Sequence, residues 1–137
     1  MYQRFHLSHE DAIAIIAVFQ EELKKMEKEA SLAVVDSRGE LIAFLRTDGA
    51  KLHTGNIAIS KAYTAARQQM DSKAYGDFSS RFTLPASLVD TRLVGFGGGI
   101  PIFFNDQLVG AVGISGMKEE EDIELAKICI DQFNTEK

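Results

Sequence analysis

Four stretches of this chain are almost uninterruptedly apolar, at residues 32–35, 41–45, 100–104 and 108–114, and they come as two pairs. The first pair encloses Asp36-Ser37-Arg38-Gly39-Glu40 and the second Asn105-Asp106-Gln107. Apolar, partly β-branched runs around short connections rich in Asp, Asn and Gly read as two β-hairpins, with Gly39 supplying a positive φ in the first turn. Strands joined so tightly are antiparallel, which argues against a doubly wound parallel sheet. An antiparallel sheet with one wet face alternates apolar and polar residues. These runs do not alternate, so both faces of the sheet need cover. Helices on both faces are one solution; a second copy of the chain is the other, and a homo-oligomer is expected.

The remaining sequence supplies helices. Ser8 can accept from the amide of Asp11, and Ala12, Ile16, Phe19, Leu23 and Met26 recur at helical spacing, which predicts a helix over 8–29. A second helix is predicted over 57–69, where Ala58, Ala62, Ala65 and Ala66 form a small-residue stripe that allows close packing. Residues 71–89, with Gly76 and Pro85, read as short helical pieces joined by loops. From Lys118 the chain is helical again. Glu119, Glu120, Glu121 and Asp122 fall in its first turn, where the helix dipole favours negative charge and accounts for them without a function. The order helix, hairpin, helices, hairpin, helix predicts one α+β domain over 1–137, a central antiparallel β-sheet packed by helices.

A net charge of −5 gives no general attraction to phosphate backbones or anionic lipids, so nucleic acid is not an expected partner. No run approaches the length needed to cross a bilayer, and the start, Met1-Tyr2-Gln3-Arg4-Phe5-His6, is too polar for a secretory signal. The lone Cys129 cannot form an internal disulfide and reads as a core thiol. Together these predict cytoplasmic residence and no membrane partner.

Seven of the eleven glycines lie between Gly95 and Gly116, so whatever excludes side chains does so locally. In Gly95-Phe96-Gly97-Gly98-Gly99-Ile100-Pro101, three consecutive glycines imply either a tight connection or a ligand close to the backbone amides. The stretch is not a dinucleotide fingerprint, because Ile100 stands where the third glycine belongs and Pro101 leads into a strand. Nor is it a P-loop, since no Gly-Lys-Ser/Thr follows. Gly113-Ile114-Ser115-Gly116 fails as a nucleophile elbow at Met117. His6 and His9 lack a completing ligand set for a metal and read as surface or capping residues; His53, placed just before the second helix, could ligate iron if it faced a pocket but reads first as a solvent-facing loop histidine. Lys61, Thr64 and Gln68 share one helix face, which read alone is a solvated polar stripe.

Several segments, in order, resemble the GlcG/HbpS family of haem-binding-protein-like domains, also found as the C-terminal part of PduO-type proteins. They are residues 33–39 (AVVDSRG), 46–50 (RTDGA), 57–65 (IAISKAYTA), 96–102 (FGGGIPI) and 109–116 (VGAVGISG). The chain departs from the family pattern at Met117 and Lys118, and between Gln69 and about Leu93. The resemblance implies a profilin-like fold, an oligomer, and binding of haem or a corrinoid-related tetrapyrrole. It also raises Lys61 and the glycine loop to a site.

The expected function is therefore that of a small-ligand-binding domain for haem, a corrinoid or another anionic organic ligand. The amides of Gly97, Gly98 and Gly99 would face its carboxylates, Lys61 would pair with one, and Phe96 would add apolar contact. Two alternatives stand beside it. One is a small lyase or isomerase using Lys61 as base or nucleophile; the other is a non-catalytic assembly protein whose glycines only permit tight packing.

Overall fold

The computed structural model describes residues 1–81 and 89–135. Helix α1 (His9–Met26) precedes the hairpin of β1 (Ser31–Asp36) and β2 (Leu41–Arg46); helices α2 (His53–Gln68) and α3 (Ser72–Ser79) follow. A second hairpin, β3 (Gly99–Phe104) and β4 (Gln107–Ser115), leads to α4 (Glu119–Thr135). All strand pairs are antiparallel in one four-stranded sheet of order β2-β1-β4-β3. The hairpins meet through β1 and β4, with Ser31 opposite Ser115 and Asp36 opposite Gly110. This is the α+β architecture predicted, although Pro85 lies outside the described residues.

Local chemistry sets the boundaries. Ser8 and Asp11 form a reciprocal capping box, Asp11 N–H donating to Ser8 Oγ at 3.1 Å and Ser8 N–H to Asp11 Oδ2 at 2.9 Å. Helix α1 stops three residues short of the predicted 29, because Glu27 turns left-handed at φ 55° and the amide of Lys28 returns to Leu23 O. Helix α2 starts four residues earlier than predicted, at the exposed His53. Thr54 Oγ1 donates to Lys51 O at 2.6 Å and lies 2.9 Å from Ser31 Oγ, a link to β1 that anchors this first turn. Gly39 has the expected positive φ of 89°, and Asn105 and Asp106 at 49° and 61° give the second hairpin its twist-matched turn.

The central strands divide their side chains between two cores. Leu32 and Val34 of β1 and Val112 and Ile114 of β4 pack with Ile15 and Phe19 of α1 and Leu125 and Cys129 of α4. Ala33, Val35 and Ala111 pack on Ala58, Ala62 and Ala65 of α2. On the central strands, then, the chain's own helices cover both faces, and the continuous apolar runs there need no second subunit. Cover runs out at the edge strand β2, where Leu41 and Phe44 remain exposed.

The small-residue stripe does what the sequence suggested: α2 lies with its backbone against the sheet. A Cβ on Gly113 would sit 2.1 Å from Ala58 O, and one on Gly99 2.2 Å from Lys61 O. Among the described residues, no helix is long and apolar enough to cross a membrane.

Candidate functional site

Chemistry-bearing side chains gather at the two ends of β3. At the Gly99 end, Lys61 reaches from α2 past the sheet. Its ammonium donates to Ile114 O at 2.8 Å and pairs with Asp122 Oδ2 at 3.2 Å. Both residues are only 3% exposed, so this is a buried ion pair and not a solvated stripe. Thr64, fully buried, joins it on the inner side of the helix. Burial pushes the Lys61 ammonium below the ordinary lysine value, and the Asp122 charge offsets part of that shift. Burial likewise pushes the Asp122 carboxyl up, offset in part by Lys61.

The glycine loop closes over this pair. Gly97 N–H donates to Glu119 Oε2 at 3.0 Å, and Gly99 N–H to Ser72 Oγ at 2.9 Å. Ser72 Oγ in turn donates to the carbonyl of Phe96, and Thr64 Oγ1 accepts from Val94 N–H at 3.0 Å. Gly98, at φ 127°, leaves no room for a side chain: a Cβ would meet Ile114 O at 2.5 Å and Lys61 Nζ at 3.0 Å. The structure thus brings Lys61, Gly97, Gly98 and Gly99 together as the sequence suggested. Their donors, however, are engaged within the protein: the ammonium with Asp122, and the amides of Gly97 and Gly99 with Glu119 and Ser72. An anion at this position would have to displace those partners. The Phe96 side chain is exposed.

At the other end of β3, five residue steps or roughly 17 Å from Gly99 at about 3.3 Å per residue, an open cleft of about 470 Å³ lies between the N-terminal segment, the β3–β4 hairpin and the last turns of α4. Phe5, Ile102, Phe103, Phe104 and Phe133 give it apolar walls, with His6 also on its lining. The N-terminal segment is fixed there by Leu7 N–H donating to Val109 O at 2.9 Å and Arg4 Nη2 donating to Leu108 O at 3.1 Å. Phe5 meets Phe104 edge to face at a centroid distance of 5.5 Å. Yet Phe5, Phe103 and Phe104 stay 60%, 46% and 46% exposed, so three large aromatic rings of one cleft remain open to solvent. His6 Nδ1 lies 2.7 Å from Ser37 Oγ, and Arg38 Nη2 lies 3.4 Å from His6 Nε2.

Sequence reading assigned Asp122 to the helix dipole, missing its pairing with Lys61, and read His6 as a surface or capping residue, missing its contacts with Ser37 and Arg38. Asp122 carried a signal: with Ala126, Cys129 and Phe133 it falls at i, i+4, i+7 and i+11, on the buried face of α4. Lys61 carried the same one, sharing its face with Ala58, Ala62 and Ala65. A charge on each apolar stripe announces a buried pair, although not which charges meet. For His6 no local signal exists, because Ser37 and Arg38 arrive from a different turn.

Comparison with known proteins gives consistent relatives. The family model described as haem degrading protein HbpS-like matches residues 7–131. Protein GlcG of Escherichia coli (strain K12) is 36% identical over 109 residues, covering 80% of this chain and 81% of that protein. The crystal structure of Klebsiella pneumoniae protein ORFY has a TM-score of 0.91 at 26% identity, covering 98% of this chain and 94% of that one. The crystal structure of a PduOC:haem complex has a TM-score of 0.83 at 25% identity, covering 92% of this chain and 94% of that one.

Proposed function

This chain belongs to the HbpS-like family, and on that premise we propose that it is a binding domain for haem or a closely related tetrapyrrole, held in the aromatic cleft at the hairpin end of β3. The observation that carries the reading is that three exposed rings, Phe5, Phe103 and Phe104, converge on one cleft, whereas the exposed Phe44, Phe78 and Phe96 do not line it. Its volume of about 470 Å³ falls in the range of ligand sites, roughly 300–1,000 Å³. Exposed rings clustered in this way favour a flat apolar partner.

The residues present fit such a group. Phe5, Phe103 and Phe104 would flank the macrocycle, and His6 would hold its iron through Nε2. When Nδ1–H donates to Ser37 Oγ, the lone pair resides on Nε2, the usual arrangement of a metal-binding imidazole. Bound haem would supply an iron centre with a position for that nitrogen; the chain itself orients the ring and shields one face of the ligand from water.

Binding is favoured over turnover at Lys61 because its ammonium is buried and already held by Asp122 and Ile114 O. The exposed edge residues Leu41 and Phe44 of β2, with Leu52 nearby in sequence, support self-association as well, which sedimentation at micromolar concentration tests.

The deciding experiment is a haem titration followed at the Soret band, using the wild type, Phe104→Ala, His6→Ala and Lys61→Ala. A saturable, stoichiometric change that Phe104→Ala weakens about tenfold supports the cleft. His6→Ala is expected to move the band while apolar binding persists. A non-saturating response removes the reading. Binding abolished by Lys61→Ala in a folded protein but untouched by Phe104→Ala returns the ligand to the glycine loop.

A further inference from the structure

Beside the aromatic cleft, and sharing His6 with it, lies a second hollow of about 290 Å³ lined by Tyr2, Arg4, His6, Ser37 and Arg38. We infer that Arg4 and Arg38 form a carboxylate-binding subsite here, so that the ligand class is a flat apolar body bearing carboxylates along one edge. The inference rests on the cleft reading for the apolar body and adds to it what recognises the charged edge.

Two guanidinium groups stand beside this one hollow, on a chain whose net charge is −5. Among the described residues neither Arg4 nor Arg38 takes part in an ion pair, whereas Arg67 and Arg92 both pair with Glu40 at 3.7 and 3.6 Å. The nearby Asp36 carboxylate does not serve them either: its Oδ1 accepts the backbone amides of Arg38 and Glu40, at 2.8 and 3.1 Å, and so shapes the turn that presents Arg38. Arg4 spends one N–H on Leu108 O, which fixes the group and leaves the rest of its five donors. Among the described residues the Arg38 side chain meets the His6 ring, at 3.4 Å, a contact long enough to be exchanged for a charge-assisted hydrogen bond to a carboxylate. Both arginines therefore stand with donors uncommitted at the polar rim of an apolar cleft. That is the division of labour expected of a site for an amphipathic anion.

Protoporphyrin IX, which carries two carboxylates and no iron, and its dimethyl ester, which carries neither charge, separate the two parts of the site. Their fluorescence titrations are compared for the wild type, Arg4→Gln, Arg38→Gln, Arg38→Lys and the Arg4→Gln/Arg38→Gln double variant. The wild type is expected to bind the acid about tenfold more tightly than the ester, one charge-assisted contact being worth at least that factor. Arg38→Gln should bring the acid close to the ester, and Arg38→Lys should restore part of the difference. Equal binding of acid and ester by the wild type overturns the subsite, as does a preference that survives in the double variant; the cleft reading survives either result. If neither porphyrin binds, the cleft reading fails. The subsite is then decided by the Arg4 and Arg38 Nε–H resonances of ¹⁵N-labelled protein titrated with succinate. Saturable shifts keep it, and unmoved resonances remove it.

Discussion

Replacing Lys61 with methionine keeps most of the buried stem and deletes the charge, which isolates the role of the ion pair. The change leaves Asp122, 3% exposed, as a buried carboxylate held by the backbone amides of Met117, on Oδ1 at 3.1 Å, and Gly116, and it strips Ile114 O of its donor. Breaking a buried pair from one side costs about 3–5 kcal/mol, or about 10–20 °C in Tm for a chain of this size. Removing both charges together, in Lys61→Met/Asp122→Leu, leaves no charge stranded. That variant should sit about 1–3 kcal/mol below the wild type, the remainder being the Met117 and Gly116 amides left without their acceptor and Ile114 O without its donor.

The pH dependence has a definite sign. Asp122 already lies above its ordinary value of 3.8 because of burial, and losing Lys61 removes an opposing influence. Above 3.8 the folded variant then binds more protons than the unfolded chain. Its stability falls as pH rises through the raised folded value and is recovered toward acid. Urea denaturation at pH 7 and pH 4 measures all of this, and the deficit of Lys61→Met relative to wild type should be the larger at pH 7. A cost under about 1 kcal/mol for Lys61→Met, or a double variant as damaged as the sum of the singles, would refute the argument that the two charges exist for each other.

Three further outcomes follow from the packing. Gly113→Ala places a methyl 2.1 Å from Ala58 O and 2.6 Å from Ala62 N, backbone atoms that cannot turn aside. It should cost at least the 1–3 kcal/mol or so typical of overpacking, read as a lower urea midpoint. Cys129 is fully buried, and burial, with a smaller contribution from Glu22, pushes its thiol up to about 12. Disulfide exchange with Ellman's reagent at pH 8 should be slow in the native protein and complete in denaturant, and fast native labelling would contradict the packing of α4. Tyr63 is held above its ordinary value of 10.0 by burial and by its hydrogen bond to Asp90. Stability present below pH 10 is therefore lost as pH rises through the folded value. In ultraviolet titration one tyrosine should ionise late, and Tyr63→Phe should abolish that late step.

The hairpins, the covered sheet, the capped first helix and the small-residue stripe of α2 were legible because each is written in a local period or a turn residue. The pairs 32–35/41–45 and 100–104/108–114 could pair in few other ways, and the alanines of α2 could serve little but close approach. The family resemblance, carried by segments such as 96–102, was equally a property of the linear chain. What the sequence withheld were meetings between segments distant along it. Lys61 finds Asp122 across 61 positions, and His6 finds Ser37 across 31. Glycine spacing could not say whether the amides of Gly97 and Gly99 face a ligand or, as they do, Glu119 and Ser72. Periodicity fixes which side of a helix is buried, but the partner of a buried charge depends on how helices α2 and α4 dock on the sheet. The aromatic cleft likewise exists only because the N-terminal segment lies along β4 and brings Phe5 against Phe104. Local pattern determined the elements; long-range packing decided which polar groups satisfy one another and which stay exposed.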